Sequence, residues 1–190
     1  MISITLPDGS IRAFAPGTTP MEVAKNISEG FARNVISASF EGTTIETSTP
    51  LTTDGSLILY TWNDAEGKKA FWHSTSHVMA QVLEEMFPGI QLTLGPAIAN
   101  GFYYDVDFGD QKITEADFKA IESRILEISK EKHEFKMRAV TKAEALETYK
   151  DNVYKTELIS NLEDGTITFC DHATFTDLCR GGHIPNTSII

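Results

Sequence analysis

The sequence predicts an α+β protein of two units, and three observations carry that reading. Residues 1–61 alternate short strand-like runs around one helix signal. The polar stretch WNDAEGKK follows, with Gly67 inside it. From residue 62 to 190, periods of 3.6 interleave with periods of two, the mixture expected of a mainly antiparallel sheet packed by helices.

The opening ISITLPDGSIRAF alternates Ile2, Ile4 and Leu6, breaks at Pro7-Asp8-Gly9, and resumes at Ile11 and Ala13. This predicts a hairpin whose tight turn needs Asp and Gly. Thr18 or Thr19 then caps a helix starting at Pro20, with Glu22 in its first turn and Val23, Ala24 and Ile27 facing inward. Strands follow around Val35 to Phe40 and Leu57 to Tyr60, giving a sheet crossed by one helix. WNDAEGKK reads as the joint between units.

The helix expected from about Lys68 to Phe87 carries Met79, Val82, Leu83 and Met86 at i, i+3, i+4 and i+7, and Pro88-Gly89 ends it. His73 and His77 fall on nearly the opposite side. GFYYDVDF alternates as a half-buried strand with Phe102, Tyr104, Val106 and Phe108 on one face. Thr114 opens a cap signal for a helix whose seam is Phe118, Ile121, Ile125 and Ile128. FKMRAV reads as a strand, Thr141 to Glu144 as the start of a short helix, and TITFC as a last strand before the DLCRGGH loop.

Composition bounds the function. The chain has 190 residues, 41% hydrophobic and 23% charged, enough for one large or two small cores. Its 16 Lys and Arg against 27 Asp and Glu leave a net charge of −11, which argues against broad attraction to nucleic acid. No apolar run approaches the ~20 residues of a membrane span, and MISITLPDGS lacks the features of a signal peptide, so the expected location is the cytoplasm, away from membranes. Two cysteines, Cys170 and Cys179, are too few for a disulfide framework. Cys170 is expected to be plainly buried.

The dense chemical signal is HSTSH, with His73 and His77 four apart, answered by Cys179 and His183 in CRGGH. On a helix, i and i+4 lie one above the other. Four such groups make either a tetrahedral metal cage or a hydrolytic pocket in which imidazoles orient and activate a water. Satisfied core histidines are the plain alternative, which their position opposite the apolar stripe weakens. Gly181 and Gly182 let backbone amides approach a substrate, although such a pair is also an ordinary loop. Asp177, two residues before Cys179, could orient a histidine or bind a substrate amine, although a single Asp, like Lys155, is more often an ordinary surface charge.

HSTSHVMAQVLEEMFP, GPAIANGFYYDVDF, YKTEL and DLCRGGHIPNT resemble, in order, the motifs of the amino-terminal editing domain of bacterial threonyl-tRNA synthetases, and residues 1–61 resemble their TGS domain, a ubiquitin-like β-grasp module. The resemblance covers the whole chain. The His-x3-His and Cys-x3-His set is shared with editing domains of alanyl-tRNA synthetases, and the TGS-like segment favours the threonine family. The resemblance implies His73, His77, Cys179 and His183 as catalytic, and Asp177, Lys155, Gly181 and Gly182 as substrate-binding. Gly182 stands where many relatives have proline, which is expected to alter loop stiffness rather than chemistry.

The implied activity is hydrolysis of serine mischarged onto tRNA(Thr), without an obligatory metal, although zinc at His73, His77, Cys179 and His183 remains open. A site built for threonine must admit serine, since one missing methyl-sized group supplies only ~1–3 kcal/mol of discrimination, so a second pocket inverts the test. ATP, Mg and a core zinc would serve the parent ligase outside these residues, as would the surfaces that make it a homodimer. The expected chain is thus a fragment that does not charge tRNA. The other readings are a non-catalytic RNA- or metal-binding regulatory module and a free-standing trans-editing protein.

Overall fold

Leu6 accepts the Gly9 amide at 2.9 Å, and Gly9 takes φ +81°, closing the first hairpin of a computed structural model that describes residues 1–190. Two units result: Met1–Phe71 with Gly181–Pro185, and Trp72–Arg180 with Asn186–Ile190.

In the first unit, β1 (Ile2–Thr5) runs antiparallel to β2 (Ile11–Phe14), with Ile2 opposite Phe14 and Ile4 opposite Arg12. Directly opposed residues share a face. The buried Ile2 and Ile4 therefore turn Phe14 and Arg12 inward and leave Ile11 69% exposed, which reverses the phase expected of this strand. Thr19 caps α1 (Pro20–Ile27) in a reciprocal capping box with Glu22. Val23 and Ala24 are fully buried, but Ile27 sits at the helix end and is exposed. Ser28 at once caps a further turn, α2 (Glu29–Ala32), which nothing in the periodicity announced.

The sheet is completed by β3 (Ser37–Phe40), β4 (Thr43–Ile45) and β5 (Gly55–Tyr60), in the order β2-β1-β5-β3-β4. Only β1 and β5 are parallel; the other pairs are antiparallel. Val23 of α1 packs with Ile2, Ile4, Leu51 and Leu57 in one apolar cluster. Each such side chain is worth ~1.5–3 kcal/mol when fully buried, so the helix is fixed across the sheet.

From Ala65 on, the expected joint WNDAEGKK is helical. The helix α3 (Ala65–Met86) begins three residues before the predicted Lys68, because Asp64 accepts the Thr61 and Lys68 amides, through its side chain and its carbonyl respectively. Gly67 is needed there: a Cβ would sit 2.0 Å from the Thr61 carbonyl oxygen. The division between units falls within this helix. From Ser74 to Leu83 it is covered on nearly every side, with Val78, Ala80 and Gln81 buried as well as the predicted Val82 and Leu83.

The next strands are short: β6 (Gln91–Leu92), β7 (Ala97–Ile98), β8 (Gly101–Phe102) and β9 (Val106–Asp107). GFYYDVDF is not one strand, since β8 pairs with β7 and β9 with β6. Its alternation nonetheless holds: Phe102, Tyr104, Val106 and Phe108 are half-buried and Tyr103, Asp105 and Asp107 exposed. Thr114 caps α4 (Glu115–Glu131), which buries Ile121 and Ile128 and leaves the predicted seam residue Phe118 50% exposed.

Strand β10 (Lys136–Ala139) leads through α5 (Lys142–Thr148) and α6 (Val153–Ser160) to β11 (Thr168–His172) and β12 (Phe175–Leu178). These strands form the antiparallel sheet β10-β11-β12. Val140, Ala145, Ile159, Ile167 and Phe169 make its core, and Cys170 is buried as expected. Both α6 and β12 escaped the sequence reading, so YKTEL is helical and Asp177 lies on a strand, not in a loop.

Candidate active site

The middle of α3 brings two imidazoles together. His73 and His77 lie one turn apart, and their Nε2 atoms are 3.2 Å from each other. The Ser76 hydroxyl meets the His73 carbonyl at 2.7 Å and the Gly95 carbonyl at 2.8 Å, tying this turn to the loop before β7. Strand alternation supplies the rest. Phe175, Asp177 and Cys179 are two apart and share the buried side of β12 and its extension. Cys179 Sγ then lies 3.4 Å from His73 Nε2.

Asp177 organises this group. Its Oδ1 accepts from Lys155 Nζ, its Oδ2 accepts from the Tyr104 hydroxyl at 2.6 Å, and His77 Nδ1 approaches that oxygen to 3.3 Å. Burial works against the carboxylate, but Lys155 and His77 outweigh it and hold Asp177 well below the usual carboxylate range. Burial likewise opposes charge on His77. Its hydrogen bonds and charge interactions with Asp177 and Cys179 nevertheless leave it above the ordinary histidine value. Burial, with the negative charge of Asp177, pushes the Tyr104 hydroxyl well above its usual range, so it stays a donor.

His73, His77, Asp177 and Cys179 form the polar end of a cavity of about 660 Å³, with Leu94, Pro96, Leu158 and Ile167 among its apolar walls. Exposed Arg180 stands on its lining. Lys155, 1% exposed, borders a separate cavity of about 300 Å³ and backs Asp177 from the far side. The plain surface-charge reading of Asp177 and Lys155 thus fails, since both are buried.

Gly181, Gly182 and His183 belong to the first unit. Gly181 and Gly182 take φ +94° and +89°, a region closed to proline, so the glycine at 182 sets the path of the loop as well as its stiffness. The Glu46 carboxylate accepts the Gly182 amide at 2.9 Å, the His183 amide at 3.1 Å and His183 Nδ1 at 3.0 Å. The Gly182 amide, predicted to face substrate, is engaged by Glu46. His183 itself is fully buried.

Three functional candidates escaped the sequence reading. Tyr104 had a signal, because the alternation of GFYYDVDF put a hydroxyl-bearing ring on the buried face. Arg180 had one too, being next to Cys179. Glu46 had none, since 137 residues separate it from His183.

His73, His77 and Cys179 carry donor atoms within 4.8 Å of one another, so the group is also a candidate metal site. A tetrahedral zinc has donor–donor edges of roughly 3.3–3.6 Å, from Zn–N ~2.0–2.1 Å and Zn–S ~2.3 Å. The 3.4 Å edge fits that frame and the 3.2 Å edge falls just short of it.

A β-grasp sheet followed by a unit with a histidine–cysteine cleft defines a TGS-bearing protein, and residues 2–61 match the family model described as TGS domain. Over its whole length the chain is 88% identical to Threonine--tRNA ligase of Flavobacterium johnsoniae and 83% identical to that of Flavobacterium psychrophilum, covering 29% of each. It is 52% identical over 192 residues to Threonine--tRNA ligase of Parabacteroides distasonis, covering 30% of it. The chain belongs to the threonine–tRNA ligase family and corresponds to its amino-terminal region. It spans less than a third of the length of these relatives.

Proposed function

We propose that residues 62–190 are an editing unit, preceded by the TGS domain, that hydrolyses serine esterified to tRNA(Thr). The observation that carries this reading is the chain Asp177–His77–His73–Cys179 on the wall of one cavity. A water attacking the seryl carbonyl must lose a proton. The His73–His77 pair, whose Nε2 atoms are in hydrogen-bond contact, takes that proton and returns it to the leaving ribose oxygen, and the Asp177 charge behind His77 stabilises the intervening imidazolium. Cys179 borders the same spot and orients the water through His73. His183, four residues after Cys179, is counted in the catalytic set on the sequence argument.

Asp177 and Lys155 support the site differently from a direct substrate contact. Both Asp177 oxygens are engaged, so its part is to orient His77, while Lys155 neutralises it from behind. Gly181 keeps the substrate-binding role that the sequence suggests, and Arg180 fits a phosphate of the tRNA terminus. The cavity lies within the ~300–1,000 Å³ usual for ligand pockets, ample for a terminal adenosine with its amino acid. The methyl of threonine must therefore be excluded locally, at the carbonyl, not by total volume.

Zinc held by His73, His77 and Cys179, with His183 as the sequence suggests, would polarise a water; the proposed chemistry needs none. ATP, Mg and a core zinc belong to the ligase activity of the parent enzyme, as does dimerisation, outside these residues. No helix is long and apolar enough to cross a membrane.

A deacylation assay tests the proposal. The chain should hydrolyse seryl-tRNA(Thr), and His73→Ala should abolish it while leaving the melting temperature close to that of the parent. Absence of seryl-ester hydrolysis with abundant protein would instead favour a non-catalytic RNA-binding module.

A further inference from the structure

Glu46 sits between β4 and β5 of the TGS domain, far in sequence from any proposed catalytic residue. It is 9% exposed, and its carboxylate takes three donors: the Gly182 amide, the His183 amide and His183 Nδ1. Three N–H groups on one carboxylate make a charge-assisted clamp, stronger than neutral hydrogen bonds. The Gly182 conformation fits this purpose. Its φ of +89° lets successive amides at 182 and 183 point at the same carboxylate.

We infer that Glu46 is a positioning residue of the hydrolytic site, fixing the ring of His183 and the backbone of the loop that carries it. The inference rests on His183 belonging to the catalytic set. A carboxylate at Nδ1 accepts a hydrogen and cannot donate one, so the neutral ring is locked with its proton on Nδ1 and its lone pair on Nε2. Outer partners of this kind set which nitrogen a histidine presents. The TGS domain thereby gains a part in editing beyond being a neighbouring module: it supplies the residue that orients His183.

The test uses the full chain with Glu46→Gln and Glu46→Asp. Glutamine keeps the shape but offers one acceptor and two unwanted donors; aspartate keeps the charge on a shorter stem. Long-range ¹H–¹⁵N correlation of the wild-type imidazole should show His183 protonated at Nδ1 and bare at Nε2, and Glu46→Gln should lose that uniform state. In deacylation of seryl-tRNA(Thr), Glu46→Gln should lower kcat by about 10- to 100-fold with little change in KM, and Glu46→Asp should recover part of it.

A wild-type His183 protonated at Nε2 overturns the inference, as does a folded Glu46→Gln variant that works at full rate. Should the Gln variant unfold, the wild-type tautomer and the Asp variant still decide. A wild-type chain that hydrolyses no seryl ester sinks the proposed function, and with it the positioning role in editing. The tautomer would then report only whether the clamp itself exists.

Discussion

A carboxylate that meets a lysine, a tyrosine and a histidine at once, as Asp177 does, is held by all three and answers to each. Removing its charge leaves the Lys155 ammonium buried with no counter-ion, and breaking such a pair from one side costs ~3–5 kcal/mol. Asp177→Asn should therefore lower the unfolding free energy, read from urea titrations, by an amount in that range as well as slowing hydrolysis. Lys150→Ala, which removes an exposed cation paired with Glu147, should change stability by at most about 0.5 kcal/mol. Arg180→Ala should raise KM for the tRNA substrate and leave kcat nearly unchanged, because its side chain is exposed at the cavity and is proposed to meet phosphate. Sequence alone left Asp177 between orienting a histidine and a surface charge, and left Lys155 a surface charge that only the motif resemblance lifted out. Burial of a charge follows from what the fold places around it, which one-dimensional reading does not supply.

At the scale of elements, period and capping were readable, and pairing was not. The Thr19 and Thr114 caps and the His73–His77 spacing follow from local rules, so α1, α3 and α4 were foreseen. By contrast, β12 is four residues long and exists because β11 pairs with it, setting Cys170 opposite Asp177. The inward turn of Phe14 likewise came from its partner strand, against its own alternation. The loop after Cys179 gives a prediction at this scale. Gly182→Ala meets only ordinary contact, 3.4 Å from Thr44 Cγ2, but must hold a left-handed φ, at a cost of ~1–2 kcal/mol. Gly182→Pro should cost more, since it forbids that φ and removes the amide given to Glu46. Urea midpoints of the two variants, with proline below alanine, check the ordering.

For the whole molecule, the sequence pattern predicted two α+β units and a site downstream, and the resemblance added a TGS-type module. They did not show that Glu46, in the amino-terminal part, grips the loop at 182–183. A net charge of −11 makes the chain a poor general binder of RNA, so affinity for tRNA should be weak and, with few phosphates neutralised, only shallowly salt-dependent. Metal removal addresses the chemistry at this scale. After exhaustive dialysis against a chelator, seryl-ester hydrolysis should persist and the melting temperature should hold; loss of both, restored by zinc, would establish a structural metal cage instead. The most direct test is single-turnover hydrolysis of the two esters side by side. The account predicts that seryl-tRNA(Thr) is cleaved and threonyl-tRNA(Thr) is spared by the same preparation; equal rates on both, or no cleavage of either, would contradict it.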